Sequence, residues 1–563
     1  MLRRLRVLWV QLKRESSKLA HSRGHLFSTV EELSVLLERY QTNQCDTSKI
    51  KIRCRELNFL PLFSFSENTY VVISPNTNEQ EVFNFCKSQY PNKNIKVIYI
   101  TNRDMSSLLR KVFKDGDIKN ASNLFHERVP LRSAKELGLI DKYKLSMLIL
   151  PVIAFFIHAA LTHNFIYLEV VLNIVFISAF LFKLLLTVKK GSWFKKDKIT
   201  VLDEDLPMYS ILVPLYKEKN ILSNLRKALI ELDYPSEKLD IKLIFEHDDI
   251  DTLEYAKSLG FPFFFDFIVV PEGKPKTKPR ACNYALPYCK GEYVVIYDAE
   301  DRPEPDQLKK VISKFNESSD EVVCVQSALN WYNRKTSILA SFFSIEYMQW
   351  FKFLLPGLQK TNVPIPLGGT SNHFKRNVLI RMFGWDAYNV TEDAELGVRL
   401  FEHKYKTVMV DSTTWEEAPT KILSWIKQRS RWIKGHMITF VIYLRKSDNH
   451  NLSFREKSWF LLFIGIPILS FIFTLPAILF AGWGMMNDDT LENIYKFILY
   501  VLLIPNLFGI LLNVFYCIME KEWRLLLFTP FLPIYWLLHG AASLLGLYEF
   551  YFTPHSWRKT EHG

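Results

Sequence analysis

The stretch "VVIYDAEDRPEP", Val294–Pro305, decides how the chain is read. Four apolar residues, Val294 to Tyr297, run straight into three carboxylates, Asp298, Glu300 and Asp301, and two prolines follow at 303 and 305. The apolar run reads as a buried strand. Three carboxylates this close destabilise one another unless something positive lies between them. Mg²⁺ typically uses one or two carboxylates together with substrate phosphates. Open α/β sheets also place ligands at the carboxyl ends of their strands. A solvated acidic turn before a helix is the competing reading, and the prolines suit a helix entry in both cases. The surrounding sequence decides between them.

From about 200 to 445 the chain alternates strand and helix patterns: "YSILVPLY", "NILSNLRKALIEL", "DIKLIFEHDD", "TLEYAKSLG", "FFFDFIVVP", "PRACNYALPYC" and "EYVVIYDAED". That alternation predicts βαβ units and a mostly parallel sheet. The strand ends are acidic: Glu218 after the first, Glu246, Asp248 and Asp249 at the second, and the 298–301 cluster at the last. In a parallel sheet all of these fall on one edge. Between them lies "EGKPKTKPRACNYAL", with Lys274, Lys276, Lys278 and Arg280. Cations beside such carboxylates suit a nucleoside diphosphate. The P-loop pattern is not present.

The 563 residues carry a net charge of +12 and 48% hydrophobic residues. At roughly 100–200 residues per domain, two to four domains are expected. Seven cysteines without a C-x-x-C pair argue against a zinc site or disulfide framework and leave a reducing compartment as the default. The opening "MLRRLRVLWVQLKRESSK" has too short an apolar run for a signal peptide. Leu145–His163, Phe165–Val188, Ser458–Gly484 and Ile494–Met519 each approach the ~20 residues a bilayer requires. A fifth stretch, Leu525–Phe552, carries Pro530 and Pro533 and either spans or lies partly in the interface. Basic flanks, "VKKGSWFKKDK" and "LRKSDNHNLSFREK", place both ends of the intervening region in the cytoplasm, while "MMNDDTLEN" suits the opposite side. Topology thus accounts for the positive charge, and nucleic acid is not expected as a partner. Residues 1–140 read as a small α+β module, with strands in Thr69–Pro75 and Ile95–Thr101 and helices in Thr29–Tyr40 and Glu79–Tyr90.

Seven motifs now appear in order between Tyr209 and Lys434: "YSILVPLYKE", "EHDD", "TKPRACNYAL", "YDAEDRPEP", "LGGTSNHFKR", "VTEDAELGVRL" and "QRSRW". In these the chain resembles a processive family 2 glycosyltransferase of the cellulose-synthase-like type, a bacterial polysaccharide synthase. The resemblance implies an α/β GT-A (Rossmann-like) domain at 200–445, flanked by transmembrane helices at 145–188 and 458–552. It implies a UDP-sugar donor, Mg²⁺ or Mn²⁺, a growing polysaccharide as acceptor, the lipid bilayer and an envelope export partner. The expected location is the bacterial inner membrane, multi-pass, with the catalytic domain cytoplasmic.

The resemblance also assigns residues. Pro214, Glu218, Glu246, Asp248, Lys278, Arg280 and Asp298 would hold the nucleotide sugar, and Asp298 with Glu300 or Asp301 the metal. The motif here reads D-A-E-D rather than D-A-D, which leaves that second ligand open. Gly369, Thr370 and Ser371 fall beneath the acceptor, and Gln428, Arg429, Arg431 and Trp432 meet diphosphate and acceptor. Asp393 matches the general base, beside Thr391 and Glu392. A base at a helix N-terminus would have its pKa lowered, with Thr391 as the cap; a plain acidic cap is the rival reading. The segment around "QRSRW" also reads as a basic amphipathic helix on anionic lipid. In the tail 553–563, "WRKTEHG" is similar to a mobile gating loop, through Trp557, Lys559 and Thr560. An interface anchor is the alternative, and gating requires the tail on the cytoplasmic side. Residues 57–101 resemble the N-terminal domain of type II secretion ATPases, which implies cyclic di-GMP. The glycine- and glutamine-bearing signature of that site is not seen, and a docking role competes. Rival functions are non-processive transfer to a polyprenyl phosphate and a non-catalytic envelope receptor or scaffold.

Overall fold

The computed structural model describes residues 53–556 apart from most of 446–503, a few short runs before 102, and 163–165, 192–196 and 362. The expected helix at Thr29–Tyr40, the stretch Ser458–Gly484 for the most part and the tail residues Trp557, Lys559 and Thr560 lie outside the described residues. The chain divides into two compact units, Met1–Lys119 and Asn120–Gly563.

In the first unit β1 (Phe59–Phe63), β2 (Asn68–Ile73) and β3 (Asn94–Tyr99) form one sheet, with β2 antiparallel to β1 and parallel to β3. The helix Glu79–Gln89 connects β2 to β3 and buries Val82 and Cys86. Both strands and the helix fall where alternation predicts them.

The second unit is built on an eight-stranded sheet. Its strands are β4 (Tyr209–Leu215), β5 (Leu239–Glu246), β6 (Phe265–Val270), β7 (Tyr293–Ile296), β8 (Arg302–Pro303), β9 (Val322–Trp331), β10 (Asn372–Lys375) and β11 (Lys406–Glu416), in the order β6-β5-β4-β7-β10-β9-β11-β8. β6, β5, β4 and β7 are parallel, and β10 runs antiparallel between β7 and β9. β11 is parallel to β9 and therefore to β7. All eight residues of β5 are buried, as expected for a strand covered on both faces. Helices Leu222–Ile230 and Gln307–Asn316 bury Leu222, Leu225, Leu229, Leu308, Val311 and Phe315 in the hydrophobic cluster that also holds Ile241, Leu243 and Phe245 of the sheet. The antiparallel β10 makes the sheet mixed rather than wholly parallel.

Two insertions carry the chain away from the sheet. Between β9 and β10 lie helix Ile338–Tyr347, a π-helical stretch Met348–Leu354 and helix Leu355–Gln359. After β11 comes the long helix Ile422–Tyr443, which bears the "QRSRW" motif. Helix Leu532–Phe552 packs along it so closely that a Cβ on Gly546 would lie 2.8 Å from the Ser430 carbonyl; small residues permit such crossings. Three residues along, Glu549 meets Lys434 at 3.2 Å, with both side chains no more than 2% exposed. Lys434 also donates to the Ser556 carbonyl at 2.8 Å. The chain after the last helix therefore returns to the "QRSRW" helix.

The described parts of the apolar stretches, Leu145–Thr162 and Ile166–Val188, fall within helices Leu139–Thr162 and Ile166–Lys190. Among the described residues one helix, Thr529–Phe552, is long and apolar enough to cross a membrane. Pro530 and Pro533 do not break it: Pro530 lies in the single turn Thr529–Phe531 and Pro533 in the first turn of Leu532–Phe552, where no amide is needed.

Removing one partner of a buried ion pair leaves an uncompensated charge and costs about 3–5 kcal/mol, whereas replacing both by apolar residues is close to neutral. Lys434→Met is therefore expected to lower the unfolding temperature sharply, and the double variant Lys434→Met/Glu549→Leu to recover most of it. Thermal unfolding of the purified protein measures both; additive losses in the double variant would contradict the pairing.

Candidate active site

The carboxyl ends of β4, β5, β7 and β11 open onto one cavity of about 730 Å³. Pro214, Glu218, Glu246, Lys278, Asp298 and Glu300 line it from the sheet side. Gly369 and Thr370 form part of its wall, and Thr391, Glu392 and Asp393 enter from the N-terminus of helix Glu392–Glu402. Gln428, Arg429, Arg431 and Trp432 close another side, and Lys183, Pro467 and His539 from the apolar segments line the far end.

Lys278 is central. It begins the helix Lys278–Ala285, pairs with Asp298 at 2.5 Å and donates to the Gly369 carbonyl at 2.7 Å. Burial alone would lower its pKa, but Asp298 and Glu392 outweigh this and hold the ammonium charged, above the ordinary lysine range. The carboxylates facing it are raised as well, which favours their neutral forms. Burial and then Asp298 raise Glu300 to about 8. Burial and then Asp393 raise Glu392 to about 7. Asp393 is raised too, by burial. This corrects the expected effect of the helix terminus: the Ala394 amide does stabilise the Asp393 anion, but desolvation is larger. Thr391 stands at the cap position without making a side-chain cap bond. Its hydroxyl instead abuts Gly435, where a Cβ would come within 2.4 Å of it.

Four of the residues assigned from the sequence do not line the cavity. Asp301 is 1% exposed and turns inward. Its carboxylate accepts from the Asp298 amide at 2.8 Å and meets the Thr370 hydroxyl. Within D-A-E-D, Asp298 and Glu300 face the cavity, whereas Asp301 braces the turn that presents them. Ser371, fully buried at φ 55°, donates its amide to Ile296 and its hydroxyl to Thr414. Arg280 stands behind Glu246, 3.7 Å from its carboxylate, and donates to the Pro271 carbonyl. It supports Glu246 from behind rather than facing the cavity. Asp248 lies outside the mouth, where Lys276 binds both its oxygens at 2.7 and 2.8 Å and lowers its pKa.

Arg429 lines the cavity but is engaged elsewhere. It lies 2.7 Å from Glu346, which also accepts from Tyr535 at 2.5 Å. The Arg429 guanidinium stacks within 4.7–5.2 Å of the Trp432, Phe343 and Trp425 rings. Burial would raise the Glu346 carboxyl, but Arg429 and its other partners hold it at about 2. Arg431 also lines the cavity, under the electrostatic influence of Glu392, Asp393 and Asp298.

Sequence reasoning missed Glu416, Glu346, Tyr347 and His436, all of which line the cavity. Glu416 had a usable signal: it ends a strand parallel to β7, on the same acidic edge. Glu346 had none, because its partners lie more than 80 residues away.

Asp298 and Glu300 fit a divalent cation that also takes substrate phosphates. Among the described residues no group of three or more His, Cys, Asp or Glu is arranged to hold one unaided.

Residues 207–435 match the family described as "Glycosyltransferase like family 2". These residues form a family 2 glycosyltransferase domain. The match covers nearly the same stretch, Tyr209–Lys434, that carries the motif resemblance, and the mixed sheet is of the GT-A type. The glycosyltransferase domain also accounts for two similar curated proteins. One is a probable glycosyltransferase, YdaM, of Bacillus subtilis, 25% identical over 282 residues, covering 48% of this chain and 67% of that protein. The other is the beta-monoglucosyldiacylglycerol synthase of Synechocystis, 22% identical over 285 residues, covering 49% of this chain and 58% of that one. A solved mannosyltransferase from Pyrobaculum calidifontis, in complex with GDP-Man and Mn²⁺, is 18% identical with a TM-score of 0.47, over 68% of this chain and 99% of its own.

The raised carboxyls make a pH prediction. A general base must be deprotonated, so kcat/KM should rise with pH as the Glu392–Asp393 pair ionises. The acid limb is expected near the about 7 of Glu392, well above the roughly 4 of an ordinary carboxylate. A profile flat from pH 5 to 8 would contradict the site's electrostatics.

Proposed function

We propose that the protein is a membrane-embedded inverting glycosyltransferase that takes a hexosyl group from a UDP-sugar. It adds that group to a growing polysaccharide, which leaves through its own helices. What supports this reading is the continuity of one cavity. It runs from the strand ends at Glu246 and Asp298, past Asp393, to Lys183 and His539 on the apolar helices.

In this account Glu246 meets the nucleoside and Lys278 and Arg431 face the diphosphate. Asp298 and Glu300 would hold Mg²⁺ or Mn²⁺, which when bound offsets charge on the departing diphosphate. Asp393 accepts the proton of the acceptor hydroxyl as that oxygen attacks the anomeric carbon in line. Gly369 borders Asp393: a Cβ there would lie 3.6 Å from its carboxylate, an ordinary van der Waals distance. Trp432 offers an aromatic face beside the acceptor path.

A second reading, transfer of one sugar to a lipid, is favoured by the reach of the cavity into the apolar helices and by the likeness to a diacylglycerol glycosyltransferase. Product analysis separates the two: a long polymer supports the first, a single glycolipid the second.

Asp393→Asn keeps size and hydrogen bonding but loses basicity. It is expected to lower kcat by roughly 10²–10⁴-fold with UDP-sugar affinity retained, and excess EDTA to abolish turnover of the parent protein. Turnover unchanged in either experiment would overturn the assignment.

A further inference from the structure

The acidic edge holds one carboxylate for which the proposed chemistry has no use. Glu416 ends β11 and lines the cavity. Its Oε1 is buried and accepts no hydrogen bond. Its charge is opposed by Asp301, Glu300 and Asp298 around it. A buried acceptor in that position is costly unless a ligand supplies hydrogen-bond donors.

The strand order indicates which part of a ligand reaches it. Along the edge, β5 ends in Glu246, β7 leads into Asp298 two strands on, and β11 ends in Glu416 three strands further in the same direction. β8, which follows the D-A-E-D turn directly, pairs with β11 through Trp415 and Thr414, so Glu416 stands beside the turn that presents Asp298, next to where a diphosphate held there joins its sugar. In a nucleotide sugar the sugar hangs from the diphosphate on the side away from the nucleoside. With the nucleoside at β5 and the diphosphate at β7, the sugar lies toward β11. Asp298 and Glu300 already supply the one or two carboxylates that a phosphate-bound Mg²⁺ typically takes, which leaves Glu416 for the sugar hydroxyls.

We infer that Glu416 accepts hydrogen bonds from hydroxyls of the donor's transferred sugar and thereby selects which sugar is used. A carboxylate can take two neighbouring hydroxyls at once, and an epimer that misplaces one leaves the buried oxygen unpaired. A site built this way discriminates strongly against sugars lacking the hydroxyl. The inference rests on the nucleotide-sugar reading above.

The test titrates UDP, UDP-glucose, UDP-galactose and UDP-GlcNAc into the full-length protein in detergent with Mn²⁺, comparing the parent with Glu416→Gln, Glu416→Ala and Glu416→Asp. In the parent, the preferred UDP-sugar binds more tightly than UDP. In Glu416→Gln and Glu416→Ala that increment is expected to fall roughly 10- to 100-fold and the preference among sugars to flatten, with UDP affinity kept. UDP binding reports that each variant is folded, and Glu416→Asp keeps the charge if the other two do not fold. An unchanged increment and preference in the variants would overturn the inference. So would loss of UDP affinity together with a shifted Mn²⁺ requirement, which would make Glu416 a metal-site residue. A parent protein that binds neither UDP nor any UDP-sugar would instead overturn the nucleotide-sugar reading itself.

Discussion

Lys278 holds the acidic side of the cavity together. It pairs directly with Asp298 and acts electrostatically on Glu300, Glu392, Asp393 and Glu416. Those five carboxylates come from three separate parts of the chain: the end of β7, the start of helix Glu392–Glu402 and the end of β11. Their mutual repulsion would drive the parts apart. One ammonium cannot neutralise five carboxylates; burial first, and then repulsion from Asp298 and Asp393, raise the pKa values of Glu300 and Glu392. A site in this state favours ligands that bring positive charge or hydrogen-bond donors. A divalent cation with a hydroxyl-rich sugar meets both needs.

The second constraint links this chemistry to the apolar helices. Arg429, Glu346 and Tyr535 join the "QRSRW" helix, the insertion after β9 and helix Leu532–Phe552 at one point. Lys434 and Glu549 join two of them again. At the far end of the same helix, Arg445 binds both oxygens of Asp141 and the carbonyls of Leu131, Ser133 and Glu136. Asp386, in the loop leading to Thr391, accepts from the Ala134 amide at 2.6 Å. The segment entering the first apolar helix is thereby fastened to the loop that leads to Asp393.

How much of this was legible in the sequence depended on the range of the forces involved. The parallel half of the sheet was readable, because β4, β5, β6 and β7 are apolar runs bounded by turns. The acidic strand ends pointed to Glu218, Glu246 and Asp298 for a topological reason that holds before any contact is known. β11 escaped because "KTVMVDSTTWE" is largely polar, and Glu416 was lost with it. The pKa of Asp393 was misjudged for a related reason. A helix terminus is visible in sequence, whereas the burial that outweighs it is assembled from distant elements. Asp301 and Arg280 were placed at the ligand because their motifs are there; packing turned one beneath the turn and the other behind Glu246. The short tail Thr553–Ser556 returns to Lys434, with His555 against the Tyr388 carbonyl at 3.4 Å. Its course beside the loop before Thr391 could not be inferred from a count of apolar segments.

The most direct measurement is an experimental structure of the protein with UDP and Mn²⁺. The account predicts the uracil near Glu246, the diphosphate between Lys278 and Arg431, and the cation on Asp298 and Glu300, with Asp393 free to face an acceptor. A nucleotide bound elsewhere, or a cation on Asp301 with Glu300 turned away, would contradict it.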